Sequence, residues 1–265
     1  MTFDQFLKAA CPTLGLNWQK YRRRCSRRRV ESRMRELGVD GFADYLELIK
    51  ETPAEASGLP DLMRVTVSRF FREKAAWEEL AGKALPSLLD EKHAGDSLRA
   101  WSDGCCGGEE PYTFAIIWLE RLRERYPDLV LEILATDIDE AALERARDGR
   151  YAKGSLKELP AGSLGRWFCG GDGLWSVDER VKRLVRFKRH NLLTDTPPRG
   201  MDIVLCRYLA FTYYSGERLL SAAMRVHDAL RPGGLLMIGR KESVTSPVRK
   251  LFDPLPGMRG ILKRL

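Results

Sequence analysis

The sequence predicts an α/β protein: a small N-terminal helical domain, then a doubly wound parallel sheet with a small inserted antiparallel β-subdomain. Three observations predict it. The first eighty residues carry apolar side chains at helical spacing. From Leu98 onward, short apolar runs alternate with helical segments, as in sheets buried on both faces. Between them a turn at Gly170–Gly173 leads into "LWSVD" and "RLVRFKRHN", the pattern of a short antiparallel excursion.

Residues 1–80 read as the helical domain. "FDQFLKAACPTLGL" is amphipathic and broken by Pro12. "WQKYRRRCSRRRVESRMRELG" has no Gly or Pro until Gly38, and its Arg and Glu residues favour one helix. "GFADYLELIKE" sets Phe42, Tyr45, Leu46 and Ile49 on one helical face. "PDLMRVTVSRFFREKAAWEELAGKALPSLL" continues the pattern around a β-branched interruption at Val65–Val67. Residues 81–98, which include the polar "DEKHAGDS", are expected to be a linker.

The α/β domain is expected over 99–250. "LRAWSDG" is a strand that ends in a glycine-rich turn, and "FAIIWLERL" is apolar nearly all round, as in a helix buried against a sheet. "LVLEILATDID" is a second strand, and "EAALERARDG" a helix closed by Gly149. "MDIVLCRY" and "GGLLMIG" read as buried strands flanking the helix "SGERLLSAAMRVHDALRPGG". The β-subdomain is expected near 165–190, and 251–265 is left as a C-terminal tail.

Composition narrows the class. Hydrophobic content of 44% and charged content of 31% are ordinary for a globular protein with a sizeable core. No apolar run approaches the roughly 18–20 residues needed to span a bilayer, and the N-terminus lacks a signal-peptide pattern, so the expected location is cytoplasmic. The six cysteines form no C-x-x-C pair and the three histidines are dispersed, so no metal is expected. Adjacent Cys105 and Cys106 read as small loop residues. The net charge is +8, with Lys20 and six arginines inside "KYRRRCSRRR". Such a stretch suits an acidic protein face, anionic lipid or nucleic acid, or is simply a solvated face. Nucleic acid is disfavoured, because none of the usual DNA-reading motifs is present.

In a doubly wound sheet, ligands sit at the carboxyl ends of the strands. Here the first strand delivers Asp103 and Gly104, and the turn closes on Gly107 and Gly108. The second strand ends in Asp137 and Asp139, where a carboxylate can accept both hydroxyls of a ribose. A glycine loop with an acid after the second strand points to a nucleoside-containing cofactor. Glu109 and Glu110 stand where a pyrophosphate would sit and would repel it, which favours a cationic sulfonium cofactor over a dinucleotide. The pair also reads more simply as acids that complement a helix N-terminus.

With these residues in view, the chain resembles the CheR family of chemoreceptor glutamate methyltransferases. "WSDGCCGGEEPYTFAI" is similar to that family's W-S-A-x-C-S-x-G-E-E-P-Y-S-x-A, and "SRFFRE" to its T-x-F-F-R-E. "ATDID", "NLL" and "CR" resemble its later cofactor contacts, and the likeness runs over about residues 15–245. It implies a Rossmann-like methyltransferase sheet, S-adenosyl-L-methionine as cofactor and S-adenosyl-L-homocysteine as product. It also implies direct in-line transfer to a protein glutamate, giving a γ-methyl ester. The carboxylate is already ionised near neutral pH, so no general base is required.

The resemblance further implies that Thr66, Ser68 and Arg72 line the donor site. Asp103, Gly104 and Glu109 would lie at the glycine loop and Asp137 on the ribose. Asn191 and Leu192 would flank the adenine, with Arg207 and Tyr208 after the fourth strand. Arg72 is the candidate for chemistry, since a guanidinium orients a carboxylate without losing its charge. A structural ion pair is its plainer role. The implied partner is an acidic helical protein surface of the chemoreceptor kind, steered by basic residues such as Arg22 and Arg23.

The chain also departs from the family pattern. Tyr208 replaces the asparagine of C-R-N, and Thr66-Val67-Ser68 replaces N-x-T. The family's tyrosine falls on Thr212 with Tyr213 beside it, which makes Tyr213 a second candidate for chemistry. "GRKE" stands for G-H-S-E, so Arg240 and Lys241 would bring new positive charge to the acceptor side. A methyltransferase with another acceptor, and a basic binding module without catalysis, are the alternative readings.

Overall fold

The computed structural model describes residues 1–64 and 68–265. The interruption at Val65–Val67, and with it Thr66, lies outside the described residues. Two compact units divide the chain: residues 1–65 with 208–222, and residues 66–207 with 223–265.

In chain order the first elements are helices α1 (Phe3–Thr13), α2 (Arg24–Glu36), α3 (Phe42–Glu51) and α4 (Pro53–Leu62). Next comes α5 (Lys74–Glu79), continued through a π-helical turn, Leu80–Ala84, into α6 (Leu85–Leu89). Then follow β1 (Ser97–Asp103), α7 (Glu109–Ile117), β2 (Val130–Asp137) and α8 (Glu140–Asp148). Strand β3 (Arg150–Ala152), α9 (Ser163–Trp167), β4 (Phe168–Gly171), β5 (Leu174–Val177) and α10 (Glu179–Lys182) come next. The chain continues with β6 (Val185–Arg189), β7 (Met201–Leu205), α11 (Ala210–Tyr213), α12 (Gly216–Ala229) and β8 (Leu230–Met237). It closes with β9 (Phe252–Pro254) and β10 (Ile261–Arg264). No helix among the described residues is long and apolar enough to cross a membrane.

The smaller unit packs α1, α3 and α4 around Phe6, Leu7, Tyr45, Ile49 and Leu59, all buried. Thr2 and Gln5 form a reciprocal capping box that fixes the start of α1, and Pro12 sits in its last turn. One expectation fails here. The long basic helix does not begin at Trp18. Residues Trp18–Tyr21 form a 3₁₀ turn, the chain is extended at Arg23, and α2 starts at Arg24. Burial of the Tyr21 ring against Tyr213 holds that turn and leaves Arg22 and Arg23 outside the helix.

The larger unit holds a seven-stranded sheet in the order β6-β2-β1-β7-β8-β10-β9. Strands β6, β2, β1, β7 and β8 run parallel; β10 runs opposite to them and pairs antiparallel with both β8 and β9. From β1 the chain winds out through β2 to β6, then returns to β7 on the other side of β1. The strand order therefore reverses at β1, and a ligand crevice is expected at its carboxyl end. Register sets Asp103 opposite Thr136, so the loops after β1 and β2 leave the sheet side by side. Helix α8 is capped by Asp139, whose side chain accepts from the Ala142 amide, and it ends on Gly149 in the left-handed region.

Three further expectations are corrected. The antiparallel subdomain is a three-stranded sheet, β3-β5-β4, so it begins at Arg150 and β6 is no part of it. Strand β3 is too short to show in the sequence, and β6, expected as antiparallel, pairs parallel with β2 at the edge of the main sheet. The expected linker is helical through Leu89, because Leu80, Leu85, Leu88 and Leu89 bury themselves in the core of the larger unit. The expected tail supplies β9 and β10, anchored by buried Phe252 and Ile261.

Gly108, at the start of α7, has φ 88°, and a Cβ there would lie 2.9 Å from the Ala146 Cβ, 3.1 Å from Tyr151 Oη and 3.2 Å from Phe187 Cζ. Those neighbours come from α8, β3 and β6, so they have little room to give. Gly108→Ala is expected to destabilise the protein by about 1–3 kcal/mol. Gly154→Ala, with nothing within 4 Å, should stay within about 0.5 kcal/mol of the parent. Urea unfolding of both variants checks this.

Candidate active site

The carboxyl ends of β1 and β2 collect acids. Asp103 ends β1 with 2% of its surface exposed. Its Oδ1 accepts from the Thr136 hydroxyl at 3.0 Å, and that hydroxyl accepts from the Trp101 indole N–H at 2.9 Å. The other oxygen, Oδ2, is buried without a hydrogen-bond partner in the protein. Burial pushes the carboxyl up to about 7; the Thr136 hydroxyl opposes this, and the charges of Asp137 and Glu110 add to the rise. Asp137, at the end of β2, accepts from the Cys106 amide at 2.9 Å and the Asp139 amide at 3.0 Å. Cys106 reaches it from a left-handed conformation, φ 51°, which turns its N–H toward the acid. The glycine loop thus grips the second-strand acid through backbone alone. Cys105 is buried among Ala135 and Leu143 as an apolar filler.

Glu109 and Glu110 form the first turn of α7, where the helix dipole favours acids. Burial raises both carboxyls. Glu109 Oε2 is a second buried oxygen without a protein partner. Glu110 accepts from Ser102 Oγ at 2.9 Å and lies 3.4 Å from an Arg207 nitrogen.

Arg207 follows β7, with 3% of its side chain exposed. Its Nη2 donates to the Arg72 carbonyl at 2.7 Å and to Glu73 Oε2 at 3.0 Å, and the guanidinium lies 4.9 Å from the Trp77 ring centroid. Its Nη groups are thus engaged by the protein, while its Nε is buried without a protein partner. The Arg240 side chain pairs with Glu79 at 2.9 Å and its amide donates to Glu73 at 3.0 Å.

Arg72 lies in a turn between Phe71 at φ 53° and Glu73 at φ 62°. The turn is tied to the glycine loop's helix: the Phe71 amide donates to Thr113 in α7, and the Arg72 carbonyl accepts from Arg207, which also lies 3.4 Å from Glu110. Ser68 is half-buried before this turn, and Gly104, at φ 72°, opens the loop. Asn191 turns the chain after β6: its Oδ1 accepts from the Leu193 amide at 3.0 Å and its own amide donates to Asp195 at 3.0 Å. Leu192 is buried beside it. Tyr208 takes φ 56° directly after Arg207, and Lys241 is exposed.

The helical unit holds the remaining candidates. Tyr213 is buried in that unit's own core with its ring centroid 5.0 Å from that of Tyr21. Arg22 pairs with Asp4 at 2.5 Å, and Arg23 is exposed. Sequence reasoning gave no role to Glu73, Glu79, Trp77, Thr113 or Thr136. Glu73 had a signal, since it closes the "FFRE" motif; the others are joined to the site only by the fold.

Buried acceptor oxygens without protein partners, a backbone-held Asp137 and two acids opening α7 suit a cationic, hydroxyl-bearing ligand and repel a pyrophosphate. With the switch point at β1, they define a nucleoside-binding α/β enzyme that takes a cationic cofactor. Residues 66–261 match the CheR methyltransferase, SAM binding domain, and residues 1–63 match the CheR methyltransferase, all-alpha domain. The chain belongs to the CheR family and is an S-adenosylmethionine-dependent methyltransferase. It is 31% identical to a chemotaxis protein methyltransferase of Listeria innocua, over 91% of this chain and 90% of that one. It is 33% identical to a probable chemotaxis protein methyltransferase of Rhizobium etli, over 85% and 86%. An uncharacterized 104.1 kDa protein of Rhodobacter capsulatus is 34% identical over 94% of this chain, which spans only 26% of that protein.

The raised Asp103 carboxyl gives a pH signature. An aspartate ionises near 3.9 when unfolded, so between about pH 4 and about 7 the folded cofactor-free protein holds an extra proton there. Asp103 therefore subtracts stability progressively as pH rises through that window, and adds no further change above it. In urea unfolding across a pH series, Asp103→Asn should gain stability relative to the parent between those limits and run parallel outside them. Parallel curves throughout would contradict the assignment.

Proposed function

We propose that the enzyme methylates glutamate carboxylates on a chemoreceptor-like protein, forming γ-methyl esters by direct in-line transfer. The observation that carries this reading is the placement of the Arg72 turn, whose backbone is held by Arg207, the residue that also meets Glu110 in the first turn of α7 after the glycine loop. A guanidinium there can hold an acceptor carboxylate bidentately and stays charged throughout. The carboxylate arrives ionised, so positioning replaces base catalysis.

Asp137 would take the ribose hydroxyls with the lone pairs its two backbone donors leave open. Asp103 and Glu109 would offer their unpartnered oxygens to the cationic amino-acid end of the cofactor. Asn191 and Leu192 would flank the adenine, with Ser68 and Gly104 lining the same crevice. When bound, S-adenosylmethionine supplies a methyl group activated by its sulfonium. The buried Trp101, Thr136 and Ser102 keep water from the acids behind that position.

The relatives named chemotaxis protein methyltransferase support a role in chemotaxis; the receptor as acceptor and a cytoplasmic location are part of the proposal. The exposed arginines of α2, Arg24, Arg27 and Arg28, together with Arg22 and Arg23, form the face expected to steer an acidic helical partner.

Isothermal titration with S-adenosylmethionine and S-adenosylhomocysteine tests the donor half. Asp137→Ala should weaken binding by about tenfold or more, the loss of a charged hydrogen-bond acceptor worth about 1.5–3 kcal/mol. Transfer of a labelled methyl group to a receptor cytoplasmic fragment tests the acceptor half. The expected product releases methanol in mild alkali. An alkali-stable product would overturn the glutamate reading, and absence of binding by the intact protein would overturn both halves.

A further inference from the structure

We propose that Arg207, Glu73 and Thr113 are positioning residues: they clamp the turn Phe71–Glu73 in a left-handed conformation and thereby aim the Arg72 guanidinium. The proposal deepens the reading of Arg72 above and rests on its place in the donor site, where the guanidinium would also meet the carboxylate at the amino-acid end of S-adenosylhomocysteine.

Arg72 is flanked by two non-glycine residues at φ 53° and 62°. Side chains with a Cβ hold that conformation only where the surroundings over-determine it, and such residues gather at functional sites. Here three elements supply the constraint. The Phe71 amide donates to Thr113 Oγ1 at 3.0 Å, and that hydroxyl donates in turn to the Glu109 carbonyl at 2.7 Å, in the first turn of α7. The Arg72 carbonyl receives both the Trp77 indole N–H at 3.1 Å and Arg207 Nη2 at 2.7 Å. The Glu73 carboxylate receives Arg207 from the end of β7 and the Arg240 amide from beyond the end of β8, each at 3.0 Å. Three successive residues are thus tied to the helix that carries Glu109 and to the ends of two strands.

This arrangement differs from a structural ion pair in one respect. An ion pair that only stabilises the fold has the same effect whether or not Arg72 has its side chain. A clamp that aims Arg72 loses its effect on the ligand once that side chain is gone.

The test combines backbone amide exchange on the cofactor-free protein with S-adenosylhomocysteine titration. It uses the parent, Thr113→Val, Thr113→Ser, Arg72→Ala and the Thr113→Val/Arg72→Ala double variant. Valine keeps the volume and removes the hydroxyl; serine restores it. Thr113→Val should speed exchange at Phe71–Glu73 and weaken the ligand by about tenfold, whereas in the Arg72→Ala background it should change affinity by less than about twofold. Thr113→Ser should restore both readouts, and Glu73→Gln should follow the valine pattern. Unchanged exchange in Thr113→Val overturns the clamp. Equal loss of affinity in both backgrounds overturns the aiming role while leaving the clamp. If the parent itself binds no S-adenosylhomocysteine, the functional reading fails and the aiming role with it, while exchange still decides the clamp.

Discussion

The guanidinium of Arg207, buried among Glu73, Glu110 and the Arg72 carbonyl, is the constraint on which the rest of the site depends. A charge taken this far from water is costly unless its partners are fixed. Its partners come from the turn before α5 and the first turn of α7, while Arg207 itself follows β7, so satisfying the charge requires those three elements to meet in one arrangement. Removing one member would leave an opposite charge buried and unpaired, which typically costs about 3–5 kcal/mol. A well-packed apolar cluster could hold the same elements together equally well. What the ion network adds is direction: hydrogen bonds from a planar fork define angles as well as contact.

That directionality bears on the unusual backbone nearby. Phe71, Glu73, Cys106 and Tyr208 all take positive φ without being glycine. Each sits in the Arg72 turn, in the glycine loop or next to Arg207. Such residues cost of order 1–3 kcal/mol each, so their placement here means that the surrounding hydrogen bonds hold them. Cys106 shows the effect most directly, because its left-handed conformation is what delivers its amide to Asp137. Glycine would adopt that conformation with less strain but would leave the loop freer in the unfolded chain.

The parallel strands, the buried helix after the glycine loop and the acid closing the second strand were legible in the sequence, since each writes a periodic or positional signal. "LRAWSDG" and "LVLEILATDID" are apolar runs of strand length, and Gly149 marks the end of α8 by the chemistry of its cap. What stayed hidden depends on partners far along the chain. Strand β3 has three residues, and only its pairing with β5 makes it a strand. Arg240 reads as surplus positive charge until the fold brings it to Glu79, 161 residues earlier. The packing of the Tyr213 ring against Tyr21 likewise joins residues 192 positions apart, so no local pattern announces it. Composition and spacing locate a loop that binds; they do not reveal which of its neighbours are already engaged.

The engagement of Arg207 and Arg240 also bears on what kind of acceptor the site can take. Had both guanidinium groups been open to the crevice, a small polyanion would have had several cations to bridge. Both are engaged by Glu73, Glu79 and Glu110, so neither adds an unmatched cation to the acids of α7. On the proposed reading, an oriented guanidinium at Arg72 would match one carboxylate, the group a glutamate side chain presents. The remaining arginine excess lies at the start of α2 and is exposed, where charge can attract an acidic protein surface. On the same reading, that charge would attract the partner while Arg72 aligns one carboxylate, a division of labour suited to a surface rich in carboxylates.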